Sequence, residues 1–87
     1  MKIKDGFVVR KIADQSVVIA LGSATKDFNG IIRLNETGRI IWDMLSEGKQ
    51  CDDIVKAITE RYDIDSETAE KDVQAFINKL QGANILE

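Results

Sequence analysis

The spacing of apolar residues changes once along this chain, at Asn35, and the change separates a strand-forming part from a helix-forming part. Before Asn35, short runs rich in β-branched and apolar residues are typical of strands. Residues 13–15 make a hairpin-length connection, and a loop is expected over 22–29, where Asn29-Gly30 is a turn dipeptide. The sequence therefore predicts a three-stranded antiparallel sheet, with strands at 7–12, 16–21 and 30–34.

After Asn35, apolar residues recur three and four positions apart, which is the spacing of one face of a helix. Three helices are predicted: one from Asn35 to about Glu47, one over Cys51–Arg61, and one capped by Asp65 or Ser66 that runs to about Gln81. The residues that this spacing turns inward include Gly38, Ile41, Leu45, Ile54, Val55, Ile58, Ala69, Val73, Phe76, Ile77 and Leu80. The order β-β-β-α-α-α predicts an α+β, winged-helix-like fold, in which residues 1–87 form a single domain.

The polar triplet Asn35-Glu36-Thr37 allows three interpretations. It matches a glycosylation acceptor, but that pattern matters only in a secreted chain. A catalytic cluster would need a nucleophile beside a base, and no such pair is evident. Asn35 is a good N-cap residue and Glu36 puts negative charge in a first helical turn, so we predict that the triplet begins the first helix.

The amino-acid composition excludes most kinds of catalytic and metal-binding site. The chain has no His and only one Cys, so it lacks the usual neutral-pH base, a thiolate zinc site and an internal disulfide. Acidic residues near Cys51 disfavour its thiolate, and we expect this side chain to act as a small buried hydrophobe. Trp42 is expected in the core or in a subunit contact. We predict that the protein is not an enzyme and uses no metal or cofactor.

Charge and hydropathy indicate whether the chain binds nucleic acids or membranes. The formal net charge is −3, with 15 acidic and 12 basic residues, which is unfavourable for holding a phosphate backbone. The first residues lack the apolar core of a signal peptide, and no apolar run approaches the length of a membrane span. These features predict a cytoplasmic protein that binds neither nucleic acid nor membrane.

Several of these segments, taken in order, resemble the coenzyme PQQ synthesis protein D (PqqD-like) family. The segments are "LNETGRIIWDML", Gly48-Lys49, Asp53-Ile54-Val55 and "YDIDSETAEKDVQAFINKLQGANIL". The resemblance runs from about Phe7 to Leu86. Two positions depart from the family pattern: Gln50 stands where Thr or Ser usually caps the second helix, and Asn84 stands where Gly usually follows the third. Asp53 partly compensates for the first, and Asn tolerates the left-handed conformation that the second requires.

The resemblance implies a RiPP recognition element, a domain that binds the leader of a ribosomally made precursor peptide and presents it to a modifying enzyme. In PqqD itself the client is the precursor of pyrroloquinoline quinone, and the enzyme is of the radical SAM type. In the family mode the leader adds as a strand beside the third strand and rests against the third helix. The residues so implied are Gly30, Ile31, Ile32, Arg33 and Leu34 on the strand, and Lys71, Gln74, Ala75, Phe76, Asn78 and Lys79 on the helix.

Other functions stay open at this point. Winged-helix folds often bind DNA, although only two basic residues lie in the third helix. A protein–protein adaptor outside peptide maturation is a further alternative. The open sheet edge also allows a homodimer through strand pairing or exchange. The first two strands do not distinguish PqqD proper from relatives in other peptide pathways.

Overall fold

Three strands are followed by three helices in a computed structural model of the chain, which describes residues 2–26 and 31–87. The strands are β1 (Phe7–Ile12), β2 (Gln15–Ala20) and β3 (Ile32–Leu34), and the α-helices are α1 (Glu36–Ser46), α2 (Cys51–Arg61) and α3 (Ser66–Gly82). The predicted order and the antiparallel sheet are confirmed. A short 3₁₀ helix, Gly22–Lys26, occupies part of the predicted loop.

Strand bounds differ from the prediction for reasons of local pairing. Ile12 lies opposite Gln15, so the hairpin turn contains only Ala13 and Asp14, and the second strand begins and ends one residue earlier than expected. Ala13 makes this tight turn with a positive φ of 56°. The third strand begins only at Ile32, which leaves Ile31 outside it. Gly30 lies outside the described residues.

The strand order β1-β2-β3 places β3 at one edge of the sheet. It pairs with β2 alone among the described residues, in a register that sets Leu34 opposite Ser16 and Ile32 opposite Val18. An edge strand presents unpaired N–H and C=O groups along its outer side. The sheet therefore keeps an open edge directly ahead of α1.

One apolar core joins the inner face of the sheet to the three helices. Its fully enclosed members include Ile41, Leu45, Ile54, Ile58, Val73, Ile77 and Leu80 from the helices and Val18 from the sheet. Trp42 is also buried, which places it in the core. Cys51 is half-buried and packs against this cluster, so it is less enclosed than predicted.

Both α1 and α3 end in the same hydrogen-bonded motif, which needs a residue with positive φ. Gly48, with φ 82°, takes that position after α1, and Asn84, with φ 62°, takes it after α3. After α3, Ile85 N donates to Leu80 O at 2.9 Å and Asn84 N to Gln81 O at 3.0 Å, the pattern of a Schellman motif. The predicted tolerance of Asn84 for the left-handed conformation is confirmed.

The chain ends meet beside this motif. Ile3 pairs with Leu86 in an isolated antiparallel bridge, and Lys4 N donates to Ile85 O at 2.8 Å. Lys4 Nζ also donates to the side-chain oxygen of Asn84 at 2.8 Å. The last turn of α3 is thus tied to the segment that leads into β1.

At the N-terminus of each helix, a side-chain oxygen accepts a hydrogen bond from a backbone N–H group. Asn35 Oδ1 accepts from Gly38 N at 2.7 Å, and Asp65 Oδ1 accepts from Thr68 N at 2.7 Å. At α2, Asp53 Oδ2 accepts from Gln50 N at 3.2 Å, which is the predicted compensation for the unusual cap. The polar triplet at Asn35 therefore begins a helix, as predicted.

Replacing Asp65 with Asn should change how stability depends on pH. The hydrogen bonds that Thr68 donates lower the pKa of Asp65, because they stabilise the ionised carboxylate. The stability from this bond is present above the unfolded-state pKa of about 3.9 and is lost as pH falls through the lower folded-state value. Asn also caps helices but does not titrate. We expect D65N to lose less stability than the parent chain below about pH 4.

The free energy of unfolding, from urea titrations across pH 2 to 7, measures this difference. Asp63→Asn is the matched control, because Asp63 is exposed and caps no helix. Equal acid sensitivity of D65N and the parent chain would contradict the assigned cap.

Candidate functional site

A groove of about 360 Å³ lies between the first turns of α1 and one flank of α3. We call it the α1–α3 groove. Its lining residues are Asn35, Thr37, Gly38, Ile41, Asp72, Ala75, Phe76 and Lys79. The groove begins immediately after β3, because its lining residue Asn35 directly follows Leu34, the last residue of that strand. A segment that ran along the open edge of β3 would therefore come beside it.

Gly38 sets the distance between the elements that form this groove. A Cβ atom at this position would lie 3.2 Å from Phe76 Cε2, 3.1 Å from Asn35 Oδ1 and 3.7 Å from Leu34 Cδ2. The first two separations are tighter than ordinary van der Waals contact for a Cβ atom. The missing side chain thus lets α3 approach the first turn of α1 and keeps Phe76 at the groove.

The edge strand presents two kinds of side chain. Ile32 and Leu34 are buried and belong to the core, whereas Arg33 is exposed between them. Ile31, just before the strand, is 64% exposed. This alternation fixes the strand by its inward residues and leaves its backbone edge available.

The predicted α3 residues divide between two flanks of the helix. Ala75, Phe76 and Lys79 line the α1–α3 groove, beside the N-terminal end of α1. Lys71 and Gln74 instead line a second groove of about 320 Å³ between α2 and α3. The remaining residue, Asn78, accepts a hydrogen bond from Gln74 Nε2 at 3.0 Å. The structure therefore brings three of the six helix residues together beside the end of β3.

Five residues of the groove were not expected from the sequence to contact a ligand. They are Asn35, Thr37, Gly38, Ile41 and Asp72. A glycine inside a helix costs stability relative to alanine, by about 1 kcal/mol. Its presence at position 38 is a signal of close approach by another element, and that signal was available in the sequence.

Charged groups near the groove are few and exposed. Asp72 and Lys79 are its only charged lining residues within the described chain. At the start of α1, Arg61 of α2 pairs with Glu36 at 3.3 Å, and Lys71 pairs with Glu67 at 3.8 Å on the other flank of α3. Salt bridges this exposed contribute little stability.

Metal-binding clusters and membrane-spanning helices are both absent from the described parts of the chain. In residues 2–26 and 31–87, no three His, Cys, Asp or Glu side chains are grouped closely enough to bind a metal ion. In the same residues, no helix has the length and apolar character that crossing a bilayer requires.

Comparison with known proteins gives one family and two similar solved structures. Residues 15–86 match the family model of coenzyme PQQ synthesis protein D (PqqD). A structure of TbiB1 in complex with the TbiA(beta) leader peptide is 34% identical, with a TM-score of 0.82 over 100% of this chain and 95% of that one. Lasso peptide synthetase B1, complexed with its leader peptide, is 20% identical, with a TM-score of 0.81 over 99% of this chain and 95% of that one. No curated protein sequence matches significantly.

Gly38→Ala and Phe76→Leu should be energetically coupled. Alanine favours a helix over glycine, but here its methyl group would press on Phe76. The smaller leucine relieves that pressure, so the double variant should be more stable than the sum of the single changes indicates. We expect a coupling energy of about 0.5–3 kcal/mol from urea unfolding of all four proteins.

Gly82→Ala is the control for this cycle, since a Cβ there meets nothing within 4 Å. It should raise stability by up to about 1 kcal/mol, with or without the change at Phe76. Additivity of Gly38→Ala with Phe76→Leu would show that the close contact has no energetic effect.

Removing the cap of α1 should destabilise the fold. Asn35→Ala eliminates the 2.7 Å bond to Gly38 N and should lower the free energy of unfolding by about 1 kcal/mol. Asn35→Ser retains a capping oxygen and should recover most of this loss. Unchanged unfolding midpoints for Asn35→Ala in urea would contradict the capping role.

Proposed function

This chain belongs to the PqqD family, and from that membership we propose that it is a non-catalytic adaptor that binds the leader of a ribosomally synthesised precursor peptide. The observation that carries the proposal is the open edge of β3 at the entrance to the α1–α3 groove. Two similarly folded proteins have been solved with leader peptides, and one of them is 34% identical to this chain. The open edge and these two complexes both support leader binding.

In the proposed mode the leader forms a fourth strand beside β3. The backbone N–H and C=O groups on the outer side of β3 give affinity that depends little on the peptide's sequence. Alternate side chains of an added strand point to the same side of the sheet. Those on the inner side would meet Phe76, Ala75 and Lys79 at the α1–α3 groove, and this contact would provide selection.

The position of each predicted contact refines the proposal. Ile31 and Gly30 would extend the strand contact toward its start. Lys71, Gln74 and Asn78 lie off the α1–α3 groove, so we propose that they contribute less to the leader than Ala75, Phe76 and Lys79 do.

Family membership also supports a proposal for the partner enzyme and the pathway. We propose that the leader-bound chain delivers its client to a modifying enzyme of the radical SAM type, in the cytoplasm, for the synthesis of pyrroloquinoline quinone or another modified peptide. Residues 1–87 would act as one binding unit. Delivery requires a surface for the enzyme that remains accessible while the leader is bound.

A leader titration tests the binding mode. The ligand is a synthetic leader from the precursor reading frame next to this chain's gene, added to the ¹⁵N-labelled protein. We expect amide shifts at residues 31–34 and at 72, 75, 76 and 79, with smaller shifts at 71, 74 and 78, and micromolar or tighter affinity. An unmoved β3 would contradict the proposal. Sequence-selective retention of DNA would favour a regulator instead.

Backbone methylation of the leader separates strand addition from side-chain docking. Alternate N–H groups of an added strand face β3, and N-methylation of those groups removes the donors that pair with the edge. We expect one alternating set of methylated peptides to lose binding and the other to retain it. Equal tolerance of both sets would show that the leader does not form a strand.

A further inference from the structure

The sheet has a second face, whose residues do not belong to the apolar core that the helices share with the sheet. Residues that join the core from the sheet, such as Phe7, Val18, Ile32 and Leu34, alternate with residues on the opposite side. We call that opposite side the outer face. It is formed by Val8, Arg10, Ile12, Gln15, Val17, Ile19 and Arg33, assigned by the alternation of side chains along each strand, and we extend it to Leu21 and Ile31, which directly follow β2 and precede β3.

Exposed apolar residues are concentrated on the outer face. The large hydrophobic side chains recorded as exposed in the described chain are Ile12, Leu21 and Ile31, at 55%, 47% and 64%. All three follow the outer alternation. Leu21 continues the β1–β2 ladder through a 2.6 Å bond from its N to Gly6 O, and Ile31 directly precedes β3. Single exposed hydrophobic residues are ordinary, but these three share one face with the half-buried Val8 and Ile19, and a shared apolar face indicates an interaction surface.

Arg10 and Arg33 are the charged residues of this face, and Asp14 and Glu36 line a cavity together with Arg33 at the end of β3. Arg10 and Arg33 lie opposite Val17 from either side, and Val17 is only 5% exposed between them. Neither arginine side chain makes a hydrogen bond or ion pair among the described residues, where the ion pairs join Arg39–Asp43, Arg61–Glu36 and Lys71–Glu67. The outer face is therefore apolar and cationic, although the whole chain carries a net charge of −3.

We propose that the outer face is the docking surface for the peptide-modifying enzyme, and that it binds an apolar patch flanked by carboxylates on that enzyme. This inference rests on the proposed adaptor function. Complementary charge favours an acidic partner, because the carboxylates would pair with Arg10 and Arg33 around an apolar centre. Two copies of this chain joined by their outer faces would bring arginines together, which disfavours self-association there.

The geometry lets leader and enzyme bind together. A leader strand would extend the sheet sideways from β3, whereas the enzyme would lie on the outer face. The part of that face furthest from the leader is β1. Arg10 and Ile12 are both on β1, two strands away from the open edge of β3. Changes at these positions therefore separate enzyme docking from leader binding.

Fluorescence anisotropy of the N-terminally labelled full chain tests the docking surface. The probe is the purified modifying enzyme encoded beside this chain's gene. Arg10→Glu and Ile12→Ser should each weaken its binding at least tenfold, because like charge or a lost apolar contact at an interface is costly. Both residues are exposed, so thermal unfolding should confirm that the variants remain folded. Affinity for the synthetic leader should stay within about twofold.

Lys56→Glu provides the matched charge reversal, because Lys56 is exposed on α2, outside the sheet. It should leave enzyme affinity unchanged, while added salt should weaken binding of the parent chain. Retained enzyme binding in R10E and I12S, or an equal loss in K56E, would overturn the inference and leave leader binding untouched. If the folded parent chain does not bind the leader at all, that result would contradict the adaptor function instead. A parent-chain dimer abolished by I12S would show that the face binds a second copy.

Discussion

The contact around Gly38 is the constraint on which the binding surface depends. The backbone N–H of Gly38 donates to the Asn35 cap, and its missing Cβ leaves room for Phe76 from α3 and for Leu34 from β3. One residue thus holds the start of α1, the end of the edge strand and the middle of the last helix within van der Waals distance. Glycine lowers the helix propensity at this position, but it permits the close approach that forms the α1–α3 groove.

Local signals in the sequence were sufficient for most of the fold. Asn35 and Asp65 indicated helix starts because their side-chain oxygens can cap a helix. The apolar spacing correctly predicted that Ile54, Val73 and Leu80 lie in the core. Strand ends were harder to predict because the register is set by the partner strand. Gln15 became a strand residue only because it pairs with Ile12 across a two-residue turn at Ala13 and Asp14.

The candidate site was less predictable than the fold, because a groove is formed by elements that are distant in sequence. A helical spacing gives the flank of each residue but not the neighbour that the flank meets. Lys71 and Gln74 lie on the side of α3 toward α2, whereas Ala75 and Phe76 lie toward α1. The packing of the helices decides which flank faces α1 and which faces α2, and no local pattern encodes it.

The two available sheet surfaces suit two different partners. The edge of β3 offers backbone groups to an extended peptide, and the outer face offers apolar side chains with Arg10 and Arg33 to a folded surface. The proposed function depends on the first of these. Isotope-edited nuclear Overhauser spectra of the labelled leader bound to the chain test it most directly. We predict cross-peaks from leader side chains to the Phe76 ring, and strand-type cross-peaks to residues 32–34. Cross-peaks confined to Lys71, Gln74 and the α2 flank would contradict the account.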